Sequence, residues 1–89
     1  MTREKLQAAS DALRQAAVAA DDDRRERLYD LSNDLATLAN ADRGPDHGRL
    51  ARLTNAIESA RDGAGDAVDD HAAEARTAID DYRETVDGV

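Results

Sequence analysis

"VAADDDRRERL", residues 18–28, decides how many helices this chain has. Upstream of it the apolar residues fall at Leu6, Ala9, Leu13, Ala16 and Ala20, and downstream at Leu28, Leu31, Leu35 and Leu38. Steps of three and four mark one face of an α-helix packed against other helices. Leu13 and Leu35 are 22 residues apart, close to a whole number of 3.6-residue turns, so the stripe stays in phase across the acidic triplet. Either the chain turns at Asp21–Asp23 or one helix runs straight through. "RDGAGD" (61–66) poses the same choice between Leu50, Leu53, Ile57, Ala60, Ala64 and Val68, Ala72, Ala75, Ile79, Tyr82, Val86.

Local chemistry favours the turns. Three consecutive Asp are poor helix interior residues and oppose the dipole at a helix C-terminus, but they suit an N-cap and a negative first turn. Gly63 and Gly65 weaken a continuous helix, and Asp66 is placed to cap the fourth helix. Thr2 caps the first helix, Gly44 and Pro45 end the second, Gly44 or Asp46 caps the third, and Gly88 ends the fourth. The sequence therefore predicts an all-α, up-down four-helix bundle in a single domain over 1–89, with helices at about 3–20, 23–41, 46–62 and 66–86 and no strands. The alternative is two long helices forming a hairpin that dimerises through its exposed stripe. Adding 44 to most apolar positions of the first half gives those of the second (Leu6 to Leu50, Leu13 to Ile57, Leu35 to Ile79), so the halves read as two hairpins of similar geometry.

Composition sets the environment. Twenty acidic residues, fifteen of them Asp, face eleven Arg and one Lys, for a net charge of −8. An Asp-rich, Lys-poor, Ala-rich chain without Phe or Trp suits molar salt, where a Debye length of about 3 Å screens self-repulsion and the acids keep the surface hydrated. Only 14 of 89 residues are Leu, Ile or Val, a share that with this charge falls in the disordered range; the helical order of those few is what argues for a fold. The predicted core is small and Ala-rich, so the fold should be marginal in dilute buffer and strengthen with salt. Circular dichroism from low to molar KCl checks this; helicity that is high and flat throughout contradicts it. No cysteine, no signal-peptide pattern and no long apolar run lead us to expect a cytoplasmic protein without a membrane segment.

Candidate chemistry is sparse. His47 and His71 fall toward opposite ends of such a bundle, and His71 in "DDHAAE" reads as a solvated residue rather than a metal ligand. Ser10, Ser32 and Ser59 have no His or Lys at helical spacing. We expect no catalytic residue, no cofactor and no metal, and a protein that is not an enzyme. The candidate interaction residues are Arg43, His47, Gly48, Arg49 and Arg52 around the central turn, where a helix N-terminus among arginines suits an anion, and Tyr29 if it is exposed. Arg24, Arg25 and Arg27 form a second basic group; like the first, it is expected to pair with Asp across helices.

"RGPDHGRLAR" (43–52), the ending "YRETVDGV" (82–89) and the start "MTREKLQAAS" resemble an uncharacterised family of small acidic helical proteins from haloarchaea. The resemblance spans the chain. It implies an archaeal cytoplasmic setting and a helical fold, and it brings no activity and no catalytic residues. The expected function is that of a small non-enzymatic structural or protein-interaction protein of a halophilic cytoplasm, with a protein partner or self-association. The alternative is an anion- or nucleic-acid-binding regulator using the Arg-lined turn at 43–52; the net charge, the lack of stacking aromatics and the salt weakening of phosphate contacts argue against nucleic acid.

Overall fold

The computed structural model describes residues 3–41 and 47–87, the side chains of 85–87 excepted. The chain turns at both disputed points. Four helices result: α1 (Glu4–Ala19), α2 (Asp22–Ala39), α3 (His47–Arg61) and α4 (Asp66–Asp87). They run up and down around a ring in which α1 touches α2 and α4, α3 touches the same two, and α1 lies diagonal to α3. This is the four-helix bundle, and the long-hairpin alternative is excluded by the breaks. The body measures 38 × 20 × 18 Å. Its accessible surface of 5370 Å² is close to the roughly 5100 Å² expected of a compact chain of this mass, so the stripe is covered without a second copy.

Every apolar position of the predicted stripes that can be assessed is buried or half-buried. Leu6, Leu13, Leu28, Leu35, Leu50, Ile57 and Ile79 are fully enclosed, while Leu31, Leu38, Ala64 and Tyr82 pack at the edge of the core. Val86 and the cap assignments at Thr2, Gly44, Pro45, Asp46 and Gly88 lie outside the described residues or side chains. The α1–α2 turn takes only Ala20 and Asp21, both extended, and then Asp22 enters the helix at φ +50°. Asp21 stands at the N-cap position but its side chain makes no capping hydrogen bond, contrary to the sequence expectation. Asp66 is likewise the first helical residue of α4 rather than its cap. Gly63, at φ +74°, supplies the left-handed residue after α3 that an L side chain resists.

Asp tolerates the left-handed region better than most L residues, yet it remains strained relative to Gly. Asp22→Gly is therefore expected to raise stability by ~0.5 kcal/mol after loss of its favourable charge near the helix N-terminus, and Asp22→Val to lower it, read as opposite shifts of the urea midpoint.

Backbone spacing is uneven around the ring. α1 approaches α2 and α4 closely, and α3 stands farther from both its neighbours. The side chains explain this. Ala9, Ala12, Ala16 and Ala17 make up most of the buried face of α1, whereas α3 buries Leu50, Leu53 and Ile57. Midway along α1 and α2, Ser10 and Ser32 interlock: Ser10 Oγ donates to Ser32 O at 2.8 Å and Ser32 Oγ to Ser10 O at 2.9 Å. Such an exchange is possible only between close backbones, and it satisfies both buried hydroxyls. The positions 44 residues on are Thr54 and Arg76. Thr54 Oγ1 is buried without a partner, and Arg76 reaches instead to Glu58, so the second hairpin lacks this interlock.

Candidate functional site

Arginines secure the ends of the bundle, but not by the predicted pairing with Asp. Arg3 donates from Nη1 to Ala41 O at 2.7 Å and Leu38 O at 3.2 Å, closing the C-terminus of α2. Arg25 Nε donates to Ala20 O at 2.9 Å beyond the end of α1, and Arg24 Nη2 donates to Asp62 O at 2.8 Å beyond the end of α3. Cations at the negative ends of helix dipoles satisfy carbonyls that have no intrahelical donor. Arg24 and Arg25 are thus part of the scaffold and not an anion site. Arg27 is exposed and has no partner among the described residues.

Arg61 and Arg76 make ion pairs between α3 and α4. Arg61 donates from Nε to Asp69 Oδ1 at 2.8 Å and from Nη1 to Glu58 Oε1 at 3.3 Å, and Arg76 bonds the same Glu58 oxygen. The hydrogen bond from Arg61 holds the Asp69 carboxyl below the usual carboxylate range, against a smaller opposing effect of desolvation. It raises the Arg61 guanidinium in return. A depressed acid binds fewer protons in the folded chain than in the unfolded one. Its contribution is therefore complete above the unfolded value of about pH 4 and is lost as pH falls through the lower folded value. Because Asp69 is substantially exposed, the effect is expected to be small: in paired urea titrations Asp69→Asn should lower stability slightly near neutrality, with the difference from the wild type shrinking as pH falls below about 4.

The described members of the predicted turn group lie together at the start of α3, and Tyr29 stands apart from them. His47, Gly48, Arg49 and Arg52 occupy the first two turns of α3 and all four are exposed. Arg43 lies outside the described residues. Tyr29 is on α2, 37% exposed and about 15 Å along the axis from the end of α2 that adjoins the start of α3. His71 is half-buried, 3.9 Å from Glu74, and no group of three or more His, Cys, Asp or Glu among the described residues is arranged to hold a metal ion.

What the sequence reading missed is a groove of about 400 Å³ on the outer side of the α1–α4 pair. Ala8, Ala73 and Ala78 give it a mainly apolar lining, with Thr77 beside them. Its margins carry Asp70, Glu74 and Asp81 against a single cation, Lys5, which lies 4.0 Å from Asp81. The groove exists because α1 and α4 approach closely and carry small residues outward as well as inward. Ala8 and Ala73 fall off the core stripe and read as neutral spacers, so only the pairing of the two helices reveals it. A more open depression of about 710 Å³ at the α3–α4 turn includes the ion pairs of Glu58, Arg61 and Asp69.

Among the described residues, no helix is long and apolar enough to cross a membrane. No curated protein and no solved structure matches the chain. A match over residues 1–85, nearly the whole length of this four-helix bundle, places the protein in a family of unknown function (DUF7553), and the chain belongs to that family.

Proposed function

We propose that this protein is a non-enzymatic interaction module of a high-salt archaeal cytoplasm, and that the α1–α4 groove is its docking surface. The observation that supports the reading is the groove itself: a shallow, open groove with Ala8, Ala73 and Ala78 in its lining and three acids and one lysine at its margins. A channel lined by small side chains lets another helix come near, and the acids select a segment bearing Arg or Lys. The acid excess of the whole chain supports the saline setting, since it keeps the rest of the surface hydrated where salt is molar. Ala73→Trp fills the groove with an indole. Wild-type protein immobilised in molar KCl is expected to retain a protein from the lysate of its source cells that Ala73→Trp does not retain; identical retention by both, with the variant still helical, contradicts the reading.

A further inference from the structure

Charge is divided unequally among the helices. α3 carries three arginines against one acid, whereas α4 carries eight acids against two arginines. One outward stripe of α3 runs through Gly48, Ala51, Arg52, Asn55 and Ser59, all exposed and all small but for Arg52, with the exposed His47 and Arg49 flanking its start. The stripe spans twelve residues, about 16 Å of helix, as do Asp70 to Asp81 along the groove. Size, length and sign therefore match between two surfaces of the same chain.

Resting on the docking reading above, we propose that the α1–α4 groove of one copy receives the outer face of α3 from a second copy. Arg52 and Asp70 are exposed charges of opposite sign without partners among the described residues, and this contact gives each one. The chemistry already operates within one molecule, where Arg61 of α3 bonds Asp69 of α4 at 2.8 Å. The new contact repeats that α3–α4 pairing on the opposite side of α4. Because the two surfaces differ, the contact is head-to-tail, and it builds open chains or rings rather than a two-fold dimer. The match joins opposite charges to small apolar side chains, so association weakens as salt rises without vanishing.

Sedimentation equilibrium on the full chain tests this by charge exchange. At about 0.15 M KCl the average mass of the wild type is expected to rise with concentration toward about 1 mM, and to rise several-fold less at about 2 M KCl, with circular dichroism recording that the chain is folded in both. Arg52→Glu alone and Asp70→Arg/Glu74→Arg alone stay monomeric. Their equimolar mixture associates again, because each then offers the other an oppositely charged surface. A wild type that stays monomeric to about 1 mM, single variants that associate as the wild type does, or a mixture that stays monomeric overturns the proposal. If the wild type is monomeric while Ala73→Trp still abolishes retention of another protein, only the choice of a second copy falls. If neither effect is seen, the docking reading falls with it.

Discussion

Replacing Leu13 by Ala is expected to lower the unfolding free energy by ~3 kcal/mol, within the roughly 2–5 kcal/mol span of buried Leu-to-Ala changes. Leu13 is fully enclosed and sits midway along α1, the helix with the closest neighbours. Truncation removes buried methyl groups and leaves a cavity that alanines on the same face cannot fill, since none has side-chain length to reach into it. For a chain of this size, total stability is on the order of 4–13 kcal/mol, and an Ala-rich core puts it toward the low end. The loss is thus a large part of the whole. Urea unfolding followed by circular dichroism reads it directly, and Val18→Ala, at a position 63% exposed on the same helix, should change stability by less than about 0.5 kcal/mol.

Adding volume to α1 should be nearly as damaging as removing it. Ala16 is fully buried between helices whose backbones lie close because their facing residues are small. Ala16→Leu inserts three carbons where no space exists, so α1 must shift outward or the side chain must leave its preferred rotamer; the expected loss is ~2–3 kcal/mol. The same change at Ala19, on the exposed side of the helix, should be close to neutral. If Ala16→Leu proved neutral or stabilising, the close approach of α1 to its neighbours would be wrong.

Much of this fold is written in the order of the apolar residues. Leu6, Leu13, Leu28, Leu35, Leu50, Ile57 and Ile79 all fall on the predicted stripes and all are fully buried. The turns are harder to read, because 3.6-residue periodicity carries across Asp21 and Gly63 without a change of phase; the weak helix propensity of those residues decides the matter. Other features depend on which helices meet. Ser10 and Ser32 read as ordinary mid-helix residues until α1 and α2 are laid antiparallel, when their hydroxyls meet. Arg24 and Arg25 read as partners of Asp across helices, yet carbonyls at helix ends offer better-placed acceptors. The groove is hidden for the same reason, since Ala8 and Ala73 acquire meaning only across the α1–α4 pair.

Both the groove and the outward face of α3 exist only if the chain reverses at Ala20–Asp21 and again at 62–65. Spin labels at Glu4→Cys and Thr37→Cys, both exposed positions in a chain without other cysteines, test the first reversal when the labelled protein is diluted in unlabelled copies. Pulsed dipolar spectroscopy should find the labels together at one end of a body only 20 × 18 Å in cross-section, with a single distance on that scale. A distance of roughly 50 Å, the length of 33 residues of unbroken helix, would contradict the bundle and everything built on it.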